Sequence, residues 1–240
     1  MGPEDIESLE RSTVAAVAPQ QVLEIGGWLV PLDHGTIGRA KSAAPLRHDL
    51  DASAIDEIVD VYRTRDLQPA FRIADIPAFD DVRAALAHHG LTDQQPTVMK
   101  VGDVARLAAF SDGPARILDR PDDAWAAVFL GEGFDPADSA HRVAVLSRSP
   151  GAVYGAAGQG GTHAVGVASF GHGWAGVHGM RTALAARGRG HAGAILAALG
   201  RQMQARGVAR VFLQVEEANP ARRIYDRAGF EPAWTYNYWR

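Results

Sequence analysis

The chain has 240 residues, of which 47% are hydrophobic, and a formal net charge of −4. Its length allows one large domain or two small ones, and its composition is that of a globular protein. The absence of cysteine excludes disulfides, thiolate metal sites and a cysteine nucleophile. No basic surplus supports a nucleic-acid partner, and no apolar run approaches the roughly 20 residues of a membrane span. With an acidic start that lacks a signal-peptide pattern, these features predict a cytoplasmic protein.

The first half of the chain alternates helix-like segments with short strand-like ones. The predicted elements begin with a helix over 3–17 and two strands, at 21–32 and 36–44, joined by Asp33-His34-Gly35. A helix begun by a capping box of Ser53 and Asp56 follows, and then an extended piece at 71–73. The last elements are a helix that Asp80 caps and Gly90 ends, and a strand at 96–101. The apolar pattern breaks at 110–114. We therefore predict a first domain over 1–112 and a second over 113–240.

The signals for helix ends and turns are clearer in the second half of the chain. Its predicted elements are helices after Pro121-Asp122-Asp123 and Asp135-Pro136, an antiparallel meander of strands at 152–157, 163–170 and 174–182, a helix at 192–204, a central strand at 208–215, a helix that Asn219-Pro220 caps and Gly229 closes, and an aromatic strand at 234–239. The most informative stretch of this half joins the third strand of the meander to the helix at 192–204.

That stretch is Arg187-Gly188-Arg189-Gly190-His191-Ala192. Two close glycines that open a helix leave main-chain N–H groups bare, and the helix dipole adds positive potential there. The stretch is therefore suited to a phosphate or pyrophosphate group, such as that of a nucleotide-containing cofactor. The alternative is a glycine-rich turn that only reverses the chain.

A second alternative concerns the kind of nucleotide. Gly188-x-Gly190-x-x-Gly193 also satisfies the dinucleotide fingerprint, and Glu216 stands about where the ribose-binding acid would be. However, several residues separate the strand from the glycines, and only about 24 residues follow Glu216. That is too few for the rest of a dinucleotide-binding sheet, so a nicotinamide-binding protein is the weaker interpretation.

Two blocks of residues match a known family in order and spacing. Arg187-x-x-Gly190-x-Ala192, followed by Asn219-x-Ala221-x-x-Ile224-Tyr225-x-x-x-Gly229-Phe230, resembles the GCN5-related N-acetyltransferase (GNAT) superfamily. The resemblance implies an α/β (mixed α+β) fold, with a mostly antiparallel sheet flanked by helices. The chain also resembles tandem members with a degenerate first domain, through Gly38-Arg39-Ala40-Lys41-Ser42 and the ending 235–238. Such a first domain is expected to complete a shared sheet or a wall of the acceptor pocket, with Trp28, Arg39 and Lys41 as candidates.

The resemblance also implies an activity, the direct transfer of acetyl from acetyl-CoA to a primary amine. It implies that main-chain amides of Arg187, Gly188, Arg189, Gly190, His191 and Ala192 hold the pyrophosphate. The main chains of Met180 and Thr182 would bond the pantetheine arm, which Asn219 would also reach, and Tyr225 would be the general acid for the departing thiolate. Arg222 could meet the phosphates or could be a solvated helix charge.

The general base and the acceptor stay open at this point. His178 shares a strand face with Met180, Glu216 and Glu217 end the next strand, and a water chain is a further possibility. No metal-ligand spacing is present among the histidines. The acceptor could be a small-molecule amine or a peptide, and the overall acidity slightly favours a cationic one. A catalytically silent CoA-binding module is the alternative function, and the protein could be a monomer with two pseudo-dimeric domains or a homodimer.

Overall fold

The computed structural model describes residues 1–133 and 135–240. In chain order these ranges form α1 (Pro3–Ala15), β1 (Gln21–Ile25), β2 (Trp28–Leu32), β3 (Ala44–Pro45), α2 (Ile55–Arg63), β4 (Phe71–Ala74), α3 (Asp80–His88), β5 (Asp93–Asp103), α4 (Val104–Ala108), β6 (Arg116–Leu118), α5 (Asp123–Phe129), α6 (Pro136–Ser147), β7 (Val153–Ala157), β8 (Ala164–Gly171), β9 (Trp174–Thr182), α7 (His191–Ala205), β10 (Arg210–Glu216), α8 (Arg222–Arg227) and β11 (Glu231–Trp239). Short 3-10 turns occur at Gly38–Ala40, Pro77–Phe79 and Leu184–Ala186.

Eight of the strands form one sheet, in the order β4-β11-β5-β10-β9-β8-β7-β6. Within the described residues, β9 and β10 are its only parallel neighbours, and every other neighbouring pair is antiparallel. The predicted fold class, an α/β fold with a mostly antiparallel sheet flanked by helices, is confirmed. A dinucleotide-binding fold needs a parallel sheet, so that interpretation of the glycines is wrong.

The sheet is shared between the two halves of the chain, as expected. β5 lies between β10 and β11, and β4 pairs with the outer edge of β11. Lys100 of β5 is buried and pairs with Asp226 of α8, which ties the inserted strand to the last helix. The boundary at 112/113 falls between α4 and β6 and stays a prediction.

The first hairpin differs from its prediction. β1 and β2 pair antiparallel from Gln21↔Leu32 to Ile25↔Trp28, so the turn is Gly26-Gly27 and not Asp33-His34-Gly35. Both glycines have positive φ, of 54° and 82°, the conformation that a two-residue turn needs to match the strand twist. The predicted strand over 36–44 is also wrong, because this segment is mostly irregular and holds the 3-10 turn Gly38–Ala40.

Asp122 and Asp135 are the N-cap residues of α5 and α6, whereas the predicted cap at Asp80 is wrong because α3 begins at Asp80 itself. Asp122 accepts a hydrogen bond from the main-chain N–H of Trp125, and Asp135 from that of Asp138, each at 2.7 Å. The expected box of Ser53 and Asp56 is wrong. The Asp51 carboxylate instead accepts from the Ser53 main chain and hydroxyl, and the helix begins at Ile55.

The two faces of the sheet are covered by different helices. On one face α7 buries Ile195, Leu196 and Leu199 together with residues of β7 to β10. The opposite face is covered by α1, α5 and α6, whose buried residues include Leu9, Trp125 and Leu146. No helix in the described ranges is long and apolar enough to cross a membrane.

A buried ion pair attaches α1 to the sheet. Arg72 of β4 donates to Glu10 of α1 at 2.8 Å, and the two side chains are 1% and 5% exposed. Because removing one partner strands a charge in the interior, Glu10→Gln should cost about 3 kcal/mol of unfolding free energy. Urea denaturation measures this loss. The matched control is Glu7→Gln, which removes the half-exposed carboxylate that pairs with Arg11. The loss of unfolding free energy in this variant should stay under about 1 kcal/mol. Equal losses in the two variants would contradict the assignment.

Candidate functional site

The site begins where two parallel strands separate. β9 and β10 pair through Val211↔Ala175, Phe212↔Gly176 and Leu213↔Val177, and the pairing then stops although both strands continue. Beyond Val177, the main-chain groups of β9 on the β10 side have no partner in β10. An extended ligand rich in amide groups could bind there as an additional strand would.

A bulge in β9 contributes to this separation. The pairing of β8 with β9 runs Val165↔Arg181 and then Val167↔His178, so β9 has one extra residue at Gly179-Met180. Gly179 has φ 57°, and a Cβ there would lie 2.7 Å from Leu146. Only glycine fits this position without strain. The bulge was not predicted, although an isolated glycine inside a strand pattern is its usual signal.

The separated strands open into a cavity of about 440 Å³. Residues from both halves of the chain line it: Thr36, Ile37, Gly38, Arg39, Gln95, Thr97, Phe129, Arg142, Leu146, Val177, His178, Gly179, Met180, Arg181, Leu213, Gln214, Val215, Glu216, Asn219, Tyr225, Tyr236, Tyr238 and Arg240. Five predicted site residues are among them, namely Met180, His178, Glu216, Asn219 and Tyr225.

The predicted anion cradle has the expected backbone. Gly188 and Gly190 have φ of 76° and 81°, and Gly190 is the residue from which α7 begins. Arg187, Gly188, Arg189 and Gly190 are exposed, and His191 and Ala192 are half-buried. The main-chain N–H groups of 188–192 donate no hydrogen bond to any described residue. Five unpaired donors at the positive end of a 15-residue helix are an arrangement that suits an anion.

Thr182 and Arg222 lie outside the cavity lining. Thr182 ends β9 opposite Ala164 of β8, and its carbonyl accepts from the Arg187 side chain at 3.4 Å. Arg222 donates to the Glu217 carbonyl at 2.9 Å, which holds its guanidinium at the start of α8. Asn219 uses its side-chain oxygen to accept from the Ala221 N–H at 2.9 Å, which leaves its NH₂ group for a ligand.

Tyr225 lies on α8 with its ring in the core that α7 covers, against Phe230. It is 8% exposed and lines the cavity, and its hydroxyl has no hydrogen-bond partner among the described residues. Burial raises the pKa of Tyr225 to about 12. The hydroxyl therefore keeps its proton at neutral pH and is available to donate it into the cavity.

His178 is placed between two side chains on the other face of the sheet. One ring nitrogen, Nδ1, is 2.9 Å from the Arg39 guanidinium, and Nε2 is 2.9 Å from the Ser169 hydroxyl. Burial and the Arg39 charge lower the pKa of His178 well below its ordinary value. Since a guanidinium can only donate, Nδ1 accepts, and the ring is neutral with its proton on Nε2.

Glu216 and Glu217 are both exposed at the end of β10. Glu216 lines the rim of the cavity and accepts from the Gln95 side chain at 2.7 Å. Glu217 is outside the lining and faces Arg222 at 3.9 Å. Of the two acids, Glu216 alone therefore reaches the cavity within the described residues.

Only one of the three residues proposed for an acceptor wall lines this cavity. Arg39 does, from the 3-10 turn Gly38–Ala40. Trp28 is fully buried in a separate core against Phe71, so its assignment is wrong. Lys41 lines a smaller cavity of about 240 Å³ with Asp33 and Asp66, so its assignment is wrong as well. Tyr236 and Tyr238 of the final aromatic strand complete the wall, and their alternation within β11 places both on one face.

Solved structures share the fold of this chain. The chain is similar to a GCN5-related N-acetyltransferase from Kribbella flavida, with a TM-score of 0.70 and 15% identity over 97% of this chain and 94% of that one. It is also similar to a tandem GNAT protein from the clavulanic acid biosynthesis pathway, with a TM-score of 0.60 and 15% identity over 98% and 94%. The fold of the chain is therefore that of these GNAT proteins.

Sequence comparison gives the narrower family. The family model described as "Probable histone acetyltransferase Rv0428c C-terminal" matches residues 4–239, and the chain belongs to this family. The probable histone acetyltransferase Rv0428c of Mycobacterium tuberculosis (strain ATCC 25618 / H37Rv) is 30% identical over 124 residues. That match covers 52% of this chain and 38% of the relative, so the chain spans less than two fifths of the length of that protein.

Proposed function

We propose that the chain is an N-acetyltransferase that moves acetyl from acetyl-CoA directly to a primary amine. The observation that carries this proposal is the presence of three features that suit the parts of one co-substrate. These features are the unpaired N–H groups of 188–192, the unpaired edge of β9 beyond Val177, and the free hydroxyl of Tyr225. CoA has a pyrophosphate, an amide-containing arm and a terminal sulfur, one group for each feature.

The residues present fit that co-substrate. Gly188 and Gly190 have open space where a side chain would project, so an anion can approach the main chain closely. Met180 at the bulge and the NH₂ group of Asn219 line the cavity and would hold the arm from two sides. Arg187 and Arg189 are exposed beside the cradle and would add positive charge near the phosphates.

Three groups of the chain would then carry the chemistry. A β9 main-chain N–H near the end of the β10 pairing would donate to the thioester oxygen, where negative charge develops. The Tyr225 hydroxyl would give its proton to the departing thiolate. The acceptor amine would approach from the face that carries His178 and Arg39, because the other face is filled by α7.

The amine must lose a proton before it attacks. His178 is poorly suited to take it, since Nδ1 already accepts from Arg39 and its low pKa makes it a weak base. Glu216 lies at the rim with a carboxylate open to solvent, so we assign the proton transfer to Glu216 or to water that it orients. Exchange of Glu216 for Gln should therefore lower kcat more than His178→Gln does, which steady-state kinetics at saturating amine measures.

The proposal extends to the arrangement of the chain. The first half supplies β5 and Arg39 but has no glycine cradle of its own, which supports a tandem GNAT protein with a degenerate first half. A cytoplasmic location, and a monomer or homodimer, belong to the same proposal.

The experiment combines calorimetry with a turnover assay. We expect CoA to bind and NAD not to bind, and we expect thiol release from acetyl-CoA to depend on an added amine from a broad panel. Binding of CoA without acetylation of any amine, and without effect of Tyr225→Phe on thiol release, would instead indicate a silent CoA-binding module. Absence of CoA binding would reject both functions.

A further inference from the structure

We infer that the acceptor is a small amine that itself bears an anionic group, a carboxylate or a phosphate, and that Arg39 binds this group. The inference rests on the proposed function and names the acceptor class of the same site. It starts from the sign of the charge in the cavity. Among the described residues, the cavity is lined by four arginines, Arg39, Arg142, Arg181 and Arg240, and by one acidic side chain, Glu216. The cavity is thus cationic although the whole chain carries a charge of −4.

Three of these arginines form ion pairs, hydrogen bonds or ring contacts within the protein. Arg142 pairs with Asp138 at 2.6 Å. Arg181 donates to Ser139 and to the Phe129 carbonyl and lies over the Phe129 ring. Arg240 donates to Gln95 at 2.8 Å and lies 5.3 Å from the centre of the Tyr238 ring.

Arg39 differs from them. Within the described ranges it forms no ion pair, and its hydrogen bond goes to the neutral ring of His178. Burial above all, together with the charges of Arg72 and Arg142, lowers the pKa of Arg39. A guanidinium has five N–H donors, and one of them is used here. A half-buried guanidinium that lines the cavity, has spare donors and forms no ion pair within the described ranges is suited to bind an anionic group of a ligand.

The location of Arg39 shows which ligand supplies that anion. His178, which accepts the hydrogen bond from Arg39, directly follows Val177, the last β9 residue paired with β10. Val177 faces the core beneath α7, whereas His178 packs against Phe212 on the opposite face, the face of α1. The cradle for the cofactor's phosphates lies at the start of α7. Arg39 is therefore on the acceptor side of the opening between the strands.

The turn that carries Arg39 is firmly placed. Ile37 and Ala40, on either side of it, are buried against Val17 and Val145, and Ser42 donates to the Gly38 carbonyl at 2.8 Å. Because the backbone is fixed and His178 orients the guanidinium, little side-chain entropy is lost when an anion binds. His178 then acts as a positioning residue for Arg39.

The test compares matched acceptors. The value of kcat/KM is measured for glycine, β-alanine and glutamate against their carboxamides, for phosphoethanolamine, and for a lysine-rich peptide. We expect the anionic amines to exceed the carboxamides by about 100-fold, and the Arg39→Gln variant to reduce this ratio to near one. Arg39→Lys should retain part of the ratio, because it keeps the charge and loses the planar fork. The anion is identified by whether the amines with a carboxylate or the amine with a phosphate have the higher kcat/KM.

The controls separate this inference from the proposed function. Arg63→Gln, on the exposed side of α2, should leave the ratio unchanged. CoA affinity of Arg39→Gln should stay within about twofold of the parent, which shows that the variant is folded. Calorimetry with N-acetylglycine and N-acetylglycinamide tests the anion site without turnover. Equal affinity for the two, absence of binding by both, or a preference for the lysine-rich peptide would overturn the inference, even if CoA binds and acetyl is transferred.

Discussion

Gly190→Glu should abolish measurable CoA binding, with a loss of affinity of at least about 100-fold. Two physical causes act together. Gly190 has φ 81°, which a residue with a Cβ adopts only under strain, and the new carboxylate would lie beside five unpaired N–H groups and satisfy or block them. It would also repel the pyrophosphate that those donors would bind. Calorimetric titration with CoA measures the change directly.

The other end of the same helix offers a matched control. Gly207 follows α7, has φ 71°, and also has open space where a Cβ would project. Gly207→Glu therefore carries a similar backbone strain and the same charge, about 20 Å from the cradle for a helix of this length. Its CoA affinity should match that of the parent protein. Similar losses of affinity in both variants would show that the effect comes from destabilisation, and the cradle assignment would then be wrong.

The parts of the site that the sequence predicts are those made by a short continuous stretch. The cradle is one loop and one helix start, and the block from Asn219 to Phe230 is one helix with its flanking turns. In each case the chemistry depends on the local backbone, which glycine, asparagine and proline report directly. The meander of β7, β8 and β9 was predictable for the same reason, since turns separate strands that pair with their neighbours in sequence.

The missed parts depend on contacts between distant segments. β5 is inserted between β10 and β11, more than 100 residues later, and no periodicity within 93–103 indicates which strands will flank it. Arg39 reaches the cavity because Ile37 and Ala40 pack against Val17 and Val145. The sequence alone does not separate Arg39 from Trp28 and Lys41 as candidates for the acceptor wall. Tertiary packing decides which side of a turn becomes buried.

The first hairpin illustrates a different kind of error. Both Gly26-Gly27 and Asp33-His34-Gly35 are turn signals, and the apolar run 28–32 follows one and precedes the other. The tighter two-residue loop with positive φ at both positions forms, since its twist matches that of paired strands. The Asp33 segment instead makes a local turn, in which the Asp33 carboxylate accepts from the Gly35 N–H at 2.7 Å. A rule that ranks glycine pairs above Asp-x-Gly would have found the observed hairpin.

Tyr225→Phe should lower kcat by about 100-fold and leave CoA affinity unchanged. The substitution removes only the hydroxyl, which has no partner among the described residues, and it keeps the ring that packs against Phe230. Steady-state kinetics and calorimetry separate the two quantities. The free energy of unfolding should not fall, because no internal hydrogen bond is lost. The proposed activity of the parent protein should also persist as the pH rises to about 10, because the pKa of Tyr225, raised by burial to about 12, leaves the proton in place there.

A second buried tyrosine provides the crossed control. Tyr62 donates its hydroxyl proton to the Pro31 carbonyl at 3.1 Å, in the core that surrounds Trp28 and away from the cavity. Tyr62→Phe should therefore cost about 1 kcal/mol of stability and leave kcat unchanged, the reverse of the result for Tyr225. If Tyr225→Phe kept full kcat while CoA still bound, the thiolate would take its proton from another group, and the role assigned to Tyr225 would be wrong. If kcat fell and stability fell with it, the hydroxyl would have a structural role that the geometry of α8 does not show.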